Sequence, residues 1–156
     1  MRLPKLLLVL LVWAAAVPAV AGPFEDGAYA YKTGNYARAL TLWRPLAVAG
    51  NSDAQFRLGF LYHQGQGVPQ DYAAAAAWYR KAAEQGNKWA QYLLGVLYGI
   101  GQGVPQDYVE MAAWHRKAAE QGHVFAQLSL GIMYQNGRYL PQDYAAAAAW
   151  YRRAAE

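Results

Sequence analysis

An all-α solenoid of stacked helical hairpins is the fold predicted for this 156-residue chain, and three features predict it. The sequence repeats itself at a spacing of 36 residues. Each copy carries two segments whose apolar residues recur at three- and four-residue steps, the period of an amphipathic helix. Between them stands one recurring stretch, GQGVPQDY at 65–72 and again at 101–108, with GRYLPQDY at 137–144.

The elements follow in order. Arg2 and Lys5, the apolar run from Leu6 to Val12 and the small residues Ala19-Val20-Ala21 before Gly22 have the pattern of a signal peptide, residues 1–21, cleaved after Ala21. Pro18 interrupts the apolar stretch, which falls short of the ~20 residues a membrane span needs. A mature chain without a transmembrane segment, exported by a bacterium to the periplasm or beyond, is therefore expected. The sequence has no cysteine, so stability must come from packing. Loss of Arg2 and Lys5 lowers the formal charge from +4 to about +2, with both signs interspersed, and nucleic acid is not an expected partner.

Residues 22–51 read as an abbreviated N-terminal hairpin, in which Tyr36, Ala37, Arg44, Ala47, Gly50 and Asn51 fall where Tyr72, Ala73, Arg80, Ala83, Gly86 and Asn87 fall in the next unit. Residues 52–87 form repeat 1, 88–123 repeat 2 and 124–156 repeat 3, incomplete at its C-terminus; the first two agree at about 24 of 36 positions. In repeat 1 the first helix is expected from about Asp53 to His63, striped by Ala54, Leu58, Leu61 and Tyr62. The second is expected from about Asp71 to Gln85. Its Ala73–Ala77 run combines high helix propensity with small side chains that let helices approach closely. About eight helices result.

The recurring stretch could be a phosphate loop or a break between helices. A phosphate loop runs from a strand straight into a helix and supplies a Lys. Here Gly65 and Gly67 follow a helix, Pro69 presets a turn, and Asp71 is placed to cap the next helix, with Asp107 and Glu110 spaced as a capping box. The stretch is read as punctuation.

The pattern Ala54-Gln55, Leu58-Gly59, Leu61-Tyr62, Gly65, Gly67-Val68-Pro69-Gln70-Asp71-Tyr72 and Trp78-Tyr79-Arg80-Lys81-Ala82-Ala83-Glu84-Gln85-Gly86 resembles the Sel-one-like repeat family, related to the tetratricopeptide repeats. The resemblance implies a right-handed α/α superhelix with first helices on the concave face. It also implies an adaptor that assembles protein complexes, often at membranes, and it implies no one reaction.

A search for chemistry finds little. His63, His115 and His123 have no helical metal-pair spacing and are expected at the surface or in a groove; no metal and no cofactor are expected. Asp71, Asp107 and Asp143 recur as caps, and Glu84, Glu120 and Glu156 recur in the last turn of the second helix, so repetition accounts for them. Cysteine-rich relatives in the resembled family act on β-lactams. This chain lacks their cysteines, and neither Ser52 nor Ser129 opens a Ser-x-x-Lys motif. No catalytic residue is expected.

Positions at which the copies disagree cluster on the first helices: Asp53, Trp89 and Phe125; Phe56, Tyr92 and Leu128; Arg57, Leu93 and Ser129; Phe60, Val96 and Ile132; His63, Gly99 and Gln135. A fixed frame with a varied inner face is what a scaffold shows. Asp53, Phe56, Arg57, Phe60, His63, Trp89, Tyr92, Val96, Phe125, Leu128 and Gln135 are accordingly the candidate partner-binding residues. The competing reading has Phe56, Phe60, Tyr92, Val96 and Ile132 packed against the neighbouring unit. Replacement of Ala74, Ala75 and Tyr79 by Glu110, Met111 and His115 is expected to give the middle unit a distinct outer surface, and Trp78, Trp114 and Trp150 to form a packing ladder. The chain stops at Glu156 without the Gln-Gly that closes earlier units, which is expected either of a fragment or short gene product or of an end that stacks on another subunit or protein. The expected function is an exported, non-catalytic adaptor for a protein or peptide. The alternatives are an envelope glycan or peptidoglycan-binding module and, third, a β-lactam or cell-wall hydrolase.

Overall fold

The computed structural model describes residues 22–156, and the expected signal peptide lies outside them. Eight helices follow in order: α1 (Pro23–Lys32), α2 (Tyr36–Val48), α3 (Ser52–Gln64), α4 (Tyr72–Glu84), α5 (Lys88–Ile100), α6 (Tyr108–Glu120), α7 (Val124–Asn136) and α8 (Tyr144–Ala155). No strand occurs among the described residues. Odd and even helices pair into four hairpins, and each hairpin packs on the next through α2–α3, α4–α5 and α6–α7. This is the all-α solenoid the repeat predicts. Its helix ends lie within one residue of the expected bounds in repeat 1.

The same side chains start and stop every helix. Asn51, Asn87 and His123 cap α3, α5 and α7 by accepting from the backbone N–H three residues on, and Asp71, Asp107 and Asp143 do so for α4, α6 and α8. Gly65, Gly101 and Gly137 end the first helices in the left-handed conformation. Across the loop, the N–H groups of Asp71, Asp107 and Asp143 donate to the carbonyls of Tyr62, Tyr98 and Tyr134 at 2.9–3.0 Å. Punctuation is thus the role of the recurring stretch. The capping box expected from Glu110 does not form, because its carboxylate accepts from the indole of Trp114 at 3.0 Å instead.

The core is a layer of small and branched side chains between the helix rows. Leu58, Leu94 and Leu130 are fully buried, and so are Ala54, Ala90 and Ala126 one turn earlier. On each first helix a glycine faces an aromatic ring of the second helix: Gly27 meets Trp43, Gly59 meets Tyr79, Gly95 meets His115 and Gly131 meets Tyr151. A Cβ on Gly59 would come within 2.7 Å of the Tyr79 ring, so the hairpins close only with glycine there.

Two expectations about the middle unit are overturned. His115 and Met111 do not form an outer surface: both are buried, facing Gly95 and Gly99 of α5. Nor are the histidines uniformly superficial, since His115 and His123 are 4% and 2% exposed. Both follow from the hairpin register, which turns the position of Tyr79 and Tyr151 inward and makes residue 123 a cap. Of the tryptophan ladder, Trp114 is buried while Trp78 and Trp150 are half-buried, and Lys81, Lys117 and Arg153 lie over the three rings at 4.0–4.9 Å.

Candidate functional site

The first helices of three successive hairpins share one hollow. Phe24 of α1, Asp53, Phe56 and Arg57 of α3, and Trp89 of α5 line a cavity of about 470 Å³. Arg57 lies half-buried with its guanidinium 6.0 Å from the Trp43 ring centre and 5.6 Å from that of Phe56. The Asp53 carboxylate accepts a hydrogen bond from Asn87, the cap of α5, at 3.0 Å. One carboxylate and one guanidinium therefore flank an aromatic floor.

Trp89 also belongs to a second group. Its exposed indole, 51% accessible, stands edge-on to His123 at 4.5 Å. Tyr92 stacks on His123 at 4.5 Å and on His115 at 5.2 Å, and Phe125, 60% exposed, lies 6.1 Å from Tyr92. An aromatic run thus crosses from α5 to the start of α7. Leu128 and Ile132 continue it as exposed apolar side chains.

The remaining candidates separate from this run. Phe56 stacks on Tyr79 within its own hairpin, and Phe60 meets the edge of Tyr31 of the preceding hairpin, so both rings take part in packing. Val96 is half-buried. His63 and Gln135 sit at the last turns of α3 and α7, where each binds a tyrosine hydroxyl of the following helix: Tyr79 at 3.3 Å and Tyr151 at 2.7 Å. Those two residues complete the hairpins. Burial lowers the pKa of His63. His123 is lowered by burial first and then by the charge of Lys88.

A second cavity, of about 280 Å³, opens between α6 and α7. Met111, His115, Ser129, Ile132 and Met133 line its walls, with the exposed Arg138 and Tyr139 among its remaining residues. Neither nitrogen of His115 has a hydrogen-bond partner. Burial depresses its pKa to about 4, opposed by the main chain of Tyr92 and aided by the charge of His123. His115 is therefore a neutral imidazole at pH 7.

Sequence reasoning missed the polar seam that fixes the stacking. Gln55, Gln91 and Gln127 are buried on the first helices and donate to the carbonyls of Ala47, Ala83 and Ala119 in the preceding hairpin at 3.0–3.1 Å. Gln85 and Gln121 in turn donate to Gln55 and Gln91 at 2.7 and 2.8 Å. A second series joins Arg44 to Tyr62, Arg80 to Tyr98 and Arg116 to Tyr134. Repetition alone could not have found them, because Gln70, Gln106 and Gln142 repeat as strictly and are exposed. Among the described residues no cluster of His, Asp or Glu is placed to hold a metal.

Four stacked helical hairpins carrying a varied, aromatic inner surface on an invariant frame define a helical-repeat solenoid protein. The profile of the Sel1 repeat matches residues 52–87, 90–123 and 124–156, and the chain belongs to the Sel1 repeat family. This is a helical-repeat family whose members often mediate protein–protein interaction. Two solved structures are similar. One is c5321, a protective antigen present in uropathogenic Escherichia coli strains, at 43% identity and a TM-score of 0.79. The other is a Sel1 repeat protein from Oxalobacter formigenes, at 39% identity and a TM-score of 0.81. Each alignment covers 85% of this chain but only 29% and 54% of the respective partner, so the chain spans a part of the length of either. No match was found among curated proteins.

Proposed function

We propose that the protein is an exported, non-catalytic scaffold that binds a peptide or an extended segment of a partner protein along its first helices. Trp89 carries this reading, because one exposed indole joins the hollow between α1, α3 and α5 to the aromatic run that reaches Phe125 and Leu128. Three first helices side by side make a trough of roughly 25–30 Å, long enough for about eight extended residues. Aromatic anchors of this kind dominate binding energy in peptide grooves. Export, to the periplasm or outside the cell, rests on the leader-like residues 1–21. No helix among the described residues is long and apolar enough to cross a membrane.

The test is affinity capture from the envelope fraction of the source organism with the purified protein and a Trp89→Ala, Phe125→Ala variant as paired baits. A protein retained by the first bait alone supports the scaffold reading; equal recovery by both contradicts the placement on the first helices. The exposed ring of Trp89 also suits a sugar face, so purified peptidoglycan fragments form a second arm. Retention of fragments with no protein partner moves the assignment to glycan binding.

A further inference from the structure

Arginine plays two parts in this solenoid. On the second helices Arg44, Arg80 and Arg116 donate to the hydroxyls of Tyr62, Tyr98 and Tyr134, so each guanidinium ties one hairpin to the next. Arg57 stands on a first helix and lines the hollow between α1, α3 and α5. Its guanidinium lies over the rings of Trp43 and Phe56. Ring faces give its N–H fork no oxygen, and among the described residues no acceptor lies within hydrogen-bonding reach of it.

The repeat does not require a cation at this position, which is Leu93 in repeat 2 and Ser129 in repeat 3. One other charge lines the hollow. Asp53 lies one turn before Arg57, but its carboxylate is engaged by the Asn87 amide at 3.0 Å, and among the described residues no ion pair joins it to Arg57. A guanidinium carries five donors in a fixed fork that matches a carboxylate. Arg57 is half-buried on an aromatic floor, where a charge pair gains more than it does in open water.

We infer that the segment bound under the scaffold reading, on which this rests, is acidic at the hollow: a Glu or Asp side chain pairs with Arg57, and an aromatic side chain two residues away packs on Trp89. Alternate side chains of an extended segment point the same way about 7 Å apart, close to the ~9 Å between neighbouring helices. An acid over α3 therefore carries the next side chain on that face toward α5, where the Trp89 indole is more than half exposed. A side-chain carboxylate fits better than a chain terminus, because it reaches down to a half-buried guanidinium while the main chain continues along the trough. The volume of about 470 Å³ leaves room for both side chains.

The probe is the acetylated, amidated peptide Gly-Glu-Ser-Trp-Ser-Glu-Gly, which has an acid on both sides of the ring and so can bind in either chain direction. Its counterpart carries Gln in place of both Glu. Each is titrated into the purified protein at about 0.15 M salt, and the indole N–H of Trp89 is followed by NMR. The Glu peptide should shift it saturably, with a dissociation constant on the order of 0.1 mM, and the Gln peptide should bind about tenfold more weakly. In Arg57→Gln the two affinities should become equal. Lys117→Gln removes the same charge from above the Trp114 ring on α6 and should leave the preference intact. The readout is a ratio taken within one protein, so a change in stability does not mimic it. Three results overturn the inference: equal affinity of the two peptides for the native protein, a preference unchanged by Arg57→Gln, or no saturable shift up to about 5 mM Glu peptide. Equal affinities with the Trp89 shift present overturn it while leaving the scaffold reading intact. With no shift from either peptide it is overturned too, and the scaffold reading is then decided by capture with the paired baits alone.

Discussion

The imidazole of His115 turns its Cδ2–Nε2 edge to Gly95, so near that a Cβ on the glycine would come within 2.5 Å of the His115 Cδ2. Alanine in mid-helix ordinarily gains about 1 kcal/mol over glycine, but overpacking a filled site costs about 1–3 kcal/mol and a rigid ring cannot step aside. Gly95→Ala should therefore destabilise by about 1 kcal/mol net, seen as a lowered midpoint in urea. Gly99→Ala makes the informative contrast. Its Cβ would meet the Met111 sulfur at 2.6 Å, the far part of a flexible chain, so that variant should be neutral or more stable.

Acid should weaken the fold through the same imidazole. His115 stays neutral when folded because burial holds its pKa near 4, whereas in the unfolded chain it titrates at its ordinary 6.5. Between those values the unfolded state binds a proton that the native state refuses, so stability is full above pH 6.5 and falls as pH drops toward 4. His115 alone accounts for a loss of roughly 2 kcal/mol at pH 5. His63 and His123 act in the same direction. His115→Tyr should show a shallower decline between pH 7 and 5, whatever its absolute stability, in denaturation curves recorded across that range.

Gln91 is the middle rung of the glutamine seam, giving one hydrogen bond to Ala83 and receiving one from Gln121. Gln127 gives the equivalent bond to Ala119, but its Oε1 has no donor among the described residues. Gln91→Ala should cost about 2 kcal/mol, and Gln127→Ala about 1 kcal/mol less. A double-mutant cycle between Gln91 and Gln121, read by chemical denaturation, isolates the difference.

The second glycine of the inter-helix loop should tolerate no side chain in repeat 2. Gly103 has φ near 72°, and a Cβ there would run into the backbone of Tyr72 at the start of α4. The same register position in repeat 3 is Tyr139, also at positive φ, with its ring stacked on Tyr108 at 3.9 Å. Gly103→Ala should lower stability by more than the ~1–2 kcal/mol of left-handed strain alone, because strain and clash add. Thermal unfolding of Gly103→Ala beside Tyr139→Ala, which already occupies that conformation, checks this.

Much of this architecture was legible in the sequence because a 36-residue period copies every structural requirement three times. The Asp71 series as caps, the Gly65 series as helix stops and the Leu58 series as core are each a local requirement, readable from spacing alone. What stayed hidden depends on the rotation of one helix against another. Residue 115 reads as an outer position until the hairpin register turns it toward Gly95, and the role of Gln55 emerges only when Ala47 of the preceding hairpin is brought beside it. On the candidate surface, variation between copies singled out Trp89 and Phe125, which are exposed. It also singled out His63 and Gln135, which differ because each is matched to a tyrosine across its own hairpin.

The central claim is that a partner rests on the first helices, and the most direct measurement is the affinity of a captured partner for the native protein and for the Trp89→Ala, Phe125→Ala variant. Both side chains are more than half exposed, so helicity and melting temperature should be preserved. Truncating two aromatic anchors should weaken binding at least about tenfold. Equal dissociation constants for the two proteins would contradict the claim and move the partner to another face of the solenoid.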